Sequence, residues 1–299
     1  MSYAVIIAAR MSSTRLPGKA LLSYTRGQSN LAQIVLRWRM LSRRSPAVIV
    51  ATTYEPEDDA IETECLNLHV PCFRGHPLDV LGRVNQALGR YAPAAEYVAR
   101  AMADNPLVDV GLVDWRVDTL RETGADSVWY GADHERITYA GTTDVWSRAA
   151  WDRIVDESSG DEHEHPGLYF WQNMSRFCVV QMSLPLREYL QPIRTELDTE
   201  RDFDVFRRVF EWWDSAHLRS TDPLPTIDAL DWLIKHPDVA AINADVPLKT
   251  QTKPHWNKGR DWLCLECSER IGAVVAGDLE LRCPGCGKPQ KFYANKAGR

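Results

Sequence analysis

Three cations, Arg10, Arg15 and Lys19, fall within one short polar segment close to the N-terminus. Among them stand Ser12, Ser13 and Thr14 and the turn-forming pair Pro17-Gly18. Guanidinium forks and an ammonium, joined by the backbone N–H groups of a tight loop, are the donors that a polyphosphate requires. The segment is neither a G-x-x-x-x-G-K-[ST] loop nor a G-x-G-x-x-G turn, so a nucleotide held here is held by another architecture. A second group of reactive side chains lies at the far end of the chain. Cys264 and Cys267 form one C-x2-C pair and Cys283 and Cys286 another, with fifteen residues between the pairs. That spacing suits a tetrahedral four-thiolate Zn2+ site, and with every position filled by sulfur the metal is expected to be structural. Two disulfides are the competing arrangement, disfavoured in a reducing compartment. Cys65, Cys72 and Cys178 are scattered among apolar neighbours and read as reduced core thiols.

Positioning these groups takes strands and helices in alternation. The run Ala4-Val5-Ile6-Ile7-Ala8-Ala9 stops abruptly at the cationic segment, as a buried strand of a parallel sheet does. Residues 46–53, 70–73 and 97–102 read as further strands, and 127–130 and 177–182 as shorter β-like runs. Helical spacing of apolar residues marks 31–41, 60–66, 80–91, 149–155, 200–214 and 227–235, and His236-Pro237-Asp238 opens a last short helix. The alternation predicts a three-layer α/β domain with a mostly parallel sheet, in which ligands bind beyond the carboxyl ends of the strands. This body is expected over residues 1–248. Residues 249–258 form a linker, and 259–299 a small zinc ribbon whose hairpin strands lie near 274–275 and 279–281.

Of a net charge of −6 over 299 residues, the segment from Lys249 onward carries +5 and the first 248 residues −11. An acidic body deters polyanions in general, so a phosphate site in it must be locally basic and metal-assisted. Acidic residues within the tail dilute its signal for nucleic acid. No apolar run approaches the roughly 18–20 residues of a membrane span. Met1-Ser2-Tyr3 leads straight into the first strand, and a cytoplasmic location is expected.

Several segments carry a more specific pattern: residues 9–19, Val50-Ala51-Thr52-Thr53 with Pro56-Glu57-Asp58-Asp59, and Val70-Pro71-Cys72-Phe73-Arg74-Gly75 with Asp79-Val80-Leu81. Asp104-Asn105-Pro106-Leu107-Val108-Asp109, Glu196-Leu197-Asp198-Thr199-Glu200-Arg201-Asp202-Phe203 and Lys235-His236-Pro237 continue it, so that the pattern runs from residue 9 to residue 237. In this order they resemble the cytidylyltransferases that activate sugars as CMP derivatives, among them the acylneuraminate and 3-deoxy-manno-octulosonate enzymes. The nearest branch is that named after spore-coat polysaccharide biosynthesis protein F. The resemblance implies the nucleotide-diphospho-sugar transferase type of α/β sandwich. It implies that Ala8, Ala9, Arg10, Ser12, Ser13, Arg15, Lys19, Thr52, Thr53, Asp59, Arg74, Asp79 and Arg100 line the nucleotide, and that Asp104 and Asp198 hold Mg2+. Arg10, Arg15, Lys19, Asp104 and Asp198 are then the catalytic set. An acceptor oxygen attacks the α-phosphorus of CTP and pyrophosphate leaves in line, a reaction that needs positioning and charge neutralisation. The implied partners are CTP and a small acceptor, with room for a homodimer.

Other roles compete at several positions. Thr199-Glu200-Arg201-Asp202 can form a capping box for the next helix, and Thr52, Thr53 and Asp59 can serve as strand-end and cap groups. Ala103 and Asn105 flank Asp104 where the branch more often has Gly and a small residue, and Leu197 stands in place of a common Val. The stretch 124–183 resembles the family weakly, and acceptor specificity is expected there. Trp129, Trp146, Trp151 and Trp171 divide between an acceptor pocket and the core. His163 and His165 belong to an acidic loop at the edge of the site, and no single general base stands out. Two further readings are a phosphorylated or phosphonate acceptor, and a silent scaffold that recruits partners through the zinc ribbon. The intact cations and aspartates oppose the second.

Overall fold

The N-terminal apolar run becomes β1 (Tyr3–Ala8), buried along its whole length. Burial on both faces demands strands on either side and helices above and below, and β1 lies inside the sheet. In the computed structural model β1 pairs in parallel with β2 (Ala47–Thr53) and β4 (Tyr97–Met102), Ile6 lying opposite Ile49 and Arg100. With β3 (Cys72–Gly75), β5 (Ser127–Trp129), β6 (Asp144–Ser147) and β7 (Val179–Gln181), the order is β3-β2-β1-β4-β6-β5-β7. Only β6 runs against the others among these seven strands. The structure describes residues 2–25, 27–129, 138–141, 143–181, 193–217 and 222–247, and the backbone of four strands between 262 and 293.

Two apolar layers sandwich the sheet. On one face Val5 and Ile7 pack with α1 (Asn30–Leu41), α2 (Asp59–Asn67) and α4 (Val110–Thr123) through Leu31, Trp38, Ile61, Val113 and Leu120. On the other, Ala4 and Ile6 meet α3 (Val80–Tyr91), α5 (Arg148–Glu157) and α6 (Leu168–Gln172) through Leu81, Leu88, Trp151 and Phe170. Trp146 and Trp151 are wholly buried there, whereas Trp129 and Trp171 are partly buried and meet edge to face. A third cluster joins α7 (Glu200–Ala216), α8 (Thr226–Lys235) and α9 (Pro237–Ala240) to Leu16 and Tyr24 of the N-terminal loop. This cluster supports the loop from beneath.

In the first 248 residues α4, β6 and the short α6 go beyond the sequence expectation. Asp109 starts α4 by accepting the Leu112 N–H at 2.6 Å, and Gly124 ends it with a φ of +67°. Its buried positions include Asp114, Arg116 and Thr119, so the apolar stripe that advertises a surface helix is broken. β6 is four residues long and too short to show a strand pattern. Farther on, β8 (Trp262–Leu263) pairs with β9 (Arg270–Ala276), β9 pairs antiparallel with β7, and β10 (Asp278–Arg282) forms a hairpin with β11 (Pro289–Tyr293). The expected ribbon strands fall in β9 and β10, but among the described residues β9 pairs with β7 and β8 and β10 with β11, so the expected hairpin of 274–275 with 279–281 is not formed; Cys264, Cys267, Cys283 and Cys286 and the linker lie outside the described residues. Among the described residues no helix is long and apolar enough to cross a membrane.

Candidate active site

The loop after β1 closes on itself before reaching Lys19. Ser13 and Gly18 both donate their amides to the Met11 carbonyl, at 2.8 and 2.9 Å. Gly18 has a φ of +72°, a left-handed conformation that costs a side-chain-bearing residue about 1–2 kcal/mol. The reversal starts the single 3-10 turn Lys19–Leu21 and turns Lys19 inward, leaving it 9% exposed. Arg10, Ser12 and Arg15 remain exposed on the loop.

Lys19 Nζ donates to Asp104 Oδ2 at 3.2 Å, to Asp198 Oδ1 at 2.9 Å and to the Leu197 carbonyl at 2.9 Å. Arg15 donates to the second oxygen of Asp198 at 2.5 Å. The structure thus brings Arg15, Lys19, Asp104 and Asp198 to one place. Asp104 reaches it from the turn after β4, and Asp198 from the extended segment before α7. Their backbones are tied directly, the Leu197 amide donating to the Asp104 carbonyl at 2.8 Å. Buried Asn30, at the start of α1, donates to the carbonyls of Ala103 at 2.6 Å and Lys19 at 3.3 Å. One side-chain amide therefore sets the distance between the loop and the end of β4.

The capping box forms as expected, and it involves Thr199 and Asp202. Asp202 Oδ2 accepts from the amides of Asp198 and Thr199, at 3.0 and 2.8 Å, so the Asp198 side chain is not the cap. Both roles are satisfied at once.

Two neighbours here escaped the sequence reading. Glu196 lies two residues before Asp198 on an extended stretch, hence on the same side of the chain, and an E-x-D pair before a capping box is a legible signal for it. Buried oxygens of Asp104, Glu196 and Asp198 all lie within 4.8 Å of one another. Burial first, then the hydrogen bond to Asp198 and the charges of Asp198 and Asp104, push the Glu196 carboxyl up to about 7, against the pull of Arg194. Arg194 is the second neighbour; it pairs with Asp202 at 2.8 Å, Glu196 at 3.3 Å and Asp198 at 3.4 Å. Such a set of hard carboxylate oxygens, with a cation already lodged between two of them, fits a divalent metal.

The remaining candidates divide between local roles. Buried Asp58, rather than Asp59, ties β2 to the loop: it accepts the Met11 amide at 2.7 Å, the Thr52 hydroxyl at 2.9 Å and the Thr53 amide at 3.0 Å. Asp59 pairs at 2.6 Å with Arg74, which also donates to the carbonyls of Thr53 and Glu55. Thr52 and Thr53 are buried beside Ala8 and Ala51 at the carboxyl end of the sheet. Arg100 pairs with Asp144 at 2.7 Å across β4 and β6. Asp79 caps α3 through the Gly82 amide at 2.8 Å and meets His163 at 2.9 Å, which holds the His163 pKa above its usual value. Arg83, buried in α3, donates to the His76 carbonyl at 2.9 Å, and burial and nearby Arg10 lower its pKa.

Comparisons with known proteins place the chain in a family. A family model described as cytidylyltransferase matches residues 4–229. An uncharacterized protein of Methanocaldococcus jannaschii is 32% identical over 252 residues, which are 82% of this chain and 96% of that protein. The spore coat polysaccharide biosynthesis protein SpsF of Bacillus subtilis is 26% identical over 213 residues, 69% of this chain and 85% of SpsF. A solved cytidylyltransferase from Leptospira borgpetersenii shares the fold, with a TM-score of 0.70 at 22% identity over 85% of this chain and 100% of that one. With well over half of its length matched by the family model, the chain belongs to the cytidylyltransferase family and is a CTP-dependent nucleotidyltransferase.

Proposed function

We propose that the protein transfers CMP from CTP to a small acceptor, a sugar or sugar acid of surface polysaccharide biosynthesis, in a Mg2+-dependent reaction that releases pyrophosphate. The observation that carries this reading is the meeting of Lys19 and Arg15 with Asp104 and Asp198. Cations for a triphosphate and carboxylates for its metal stand within hydrogen-bond distance of each other. The likeness to SpsF supports the acceptor class.

In this reading Arg10, Arg15 and Lys19, with Ser12, Ser13 and the loop amides, bind the phosphates and neutralise the charge that grows on departing pyrophosphate. Asp104 and Asp198, with Glu196 beside them, would hold Mg2+, which when bound screens the triphosphate and polarises its phosphoryl oxygens. The acceptor oxygen forms its bond to the α-phosphorus as the bond from that phosphorus to the pyrophosphate oxygen breaks. Asn30 and Asp58 hold the loop and the strand ends in register, so that little geometry is left to assemble on binding. Thr52, Thr53, Arg74, Asp79 and Arg100 complete the nucleotide side, Asp59 acting through its pair with Arg74. In the C-terminal segment, the cysteine spacing supports one structural Zn2+ on Cys264, Cys267, Cys283 and Cys286 in a ribbon spanning 259–299, beyond a linker at 249–258.

Pyrophosphate release should appear with CTP, far less with ATP, GTP or UTP, and only with a divalent cation. The acceptor panel holds sugars, sugar acids, and phosphorylated and phosphonate compounds; turnover confined to the last two would replace the acceptor class. Asp104→Ala should lower turnover by about 10²-fold or more while circular dichroism stays unchanged. No turnover with any acceptor, together with no CTP-dependent thermal shift, would overturn the enzyme reading. Cys264→Ser should lower the bound zinc measured by mass spectrometry; undiminished zinc would exclude the four-cysteine site.

A further inference from the structure

We infer that Lys19 occupies the place of the divalent cation in the nucleotide-free protein, so that metal and CTP binding are coupled through this one side chain. The inference rests on the metal–triphosphate reading above and adds to it an order of events. An ammonium has three protons to donate, and all three of Lys19's are committed, to Asp104, Asp198 and the Leu197 carbonyl. Three oxygens around one buried positive charge is the surrounding a metal ion would take, filled by the protein's own cation.

The other oxygen of Asp198 is covered as well, by Arg15 at 2.5 Å and Arg194 at 3.4 Å. Lys19, Arg15 and Arg194 thus all direct positive charge at Asp198, and Lys19 also reaches Asp104. A metal entering between Asp104 and Asp198 would meet the ammonium at contact distance, where like charges repel strongly in a site shielded from water. Lys19 must leave before the metal can bind.

The three cations differ in their freedom to move. The Arg194 side chain is 4% exposed and anchored on Asp202, so it stays. The Arg15 side chain is 33% exposed and stands on the outer loop. Lys19 is anchored by its backbone, through its amide to the Leu16 carbonyl and its carbonyl to Asn30, while four methylenes carry its charge. The two cations that can swing are those that face a polyphosphate. As the triphosphate gathers Lys19 and Arg15, the same motion uncovers the carboxylates for the metal. By reciprocity, a bound metal favours the Lys19 conformation that CTP needs.

The test is Mn2+ binding to the full-length, nucleotide-free protein, followed by the electron paramagnetic resonance of unbound Mn2+. Lys19→Met should bind Mn2+ at least about tenfold more tightly than wild type, within the roughly 5- to 150-fold usual for coupled sites. Lys19→Arg, which keeps the charge, should stay near wild type. Arg10→Met, which removes a loop cation bonded to neither carboxylate, should change the affinity less than about twofold, a few tenths of a kcal/mol. Equal affinity of Lys19→Met and wild type, or an equal gain from Arg10→Met, would overturn the inference. Should Lys19→Met not fold, anomalous scattering from wild-type crystals decides. Mn2+ should appear between Asp104 and Asp198 only when CTP is present; Mn2+ there beside an undisplaced Lys19 would refute the exchange. Wild type with CTP that binds no Mn2+ at these aspartates would refute the site reading itself, a result distinct from either.

Discussion

At the scale of single residues, the centre of the site is a balance of buried charges, and Glu196 is where that balance depends on pH. Its carboxyl is pushed up to about 7 in the folded protein, chiefly because it is buried and then because the hydrogen bond to Asp198 and the charges of Asp198 and Asp104 favour its protonated form. In the unfolded chain it titrates at about 4.3, so the native state holds the proton more tightly. The stability that this proton contributes is complete below about pH 4.3 and is lost as pH rises through 7. Glu196→Gln removes that loss. In metal-free buffer its melting temperature should rise relative to wild type between pH 5 and pH 8 by several degrees, at about 2–4 °C per kcal/mol for a domain of this size. A difference independent of pH would mean that Glu196 titrates as an ordinary glutamate.

At the scale of elements, the start of α7 does two jobs with adjacent residues. Thr199 and Asp202 satisfy the helix amides, and Asp202 also accepts from the Asp198 amide and pairs with Arg194. The two cap residues should therefore differ sharply on mutation. Thr199→Ala loses one cap and should cost about 1 kcal/mol in urea unfolding. Asp202→Ala leaves the buried Arg194 without its main partner and should cost about 3–5 kcal/mol. It should also raise KM for CTP, since Asp198 loses the amide contact that orients it; equal effects of the two variants would reduce Asp202 to an ordinary cap. The same economy appears at the turn Pro56–Asp58, where Asp58 joins β2 to the loop after β1 and leaves the cap of α2 without a side-chain bond.

At the scale of the whole molecule, the loop after β1 lies between two packed bodies. Leu16 and Tyr24 belong to the cluster of α7, α8 and α9, while Ala9 and Ala20 belong to the layer beneath α1. A ligand that gathers Arg15 and Lys19 links these clusters and should stabilise the fold as a unit. CTP with Mg2+ at about 100 times its Kd should add about 2.7 kcal/mol. In differential scanning fluorimetry this should appear as a rise of roughly 5–10 °C. CTP alone should produce less, and an equal rise without the divalent cation would separate nucleotide binding from the metal.

Much of this organisation is written locally. The buried strand that ends in cations, the helical spacing of α1, α3, α7 and α8, the capping box at Thr199 and the place of Asp104 at the end of a strand all follow from residues near one another in the chain, because periodicity and capping act over a few residues, while the pairing of Asp104 with Asp198 is what the family resemblance implies. Only the tertiary structure decided what meets what. Lys19 finds Asp104 across 85 positions and Asp198 across 179. The adjacent aspartates 58 and 59 take opposite roles because the 3-10 turn that Asp58 closes points its side chain under β2 and leaves Asp59 outside with Arg74. Glu196 owes its pKa to burial beside two carboxylates that distant segments bring together. Local sequence sets the type of each element; long-range packing sets the distance between charges, and the chemistry of this site depends on that distance.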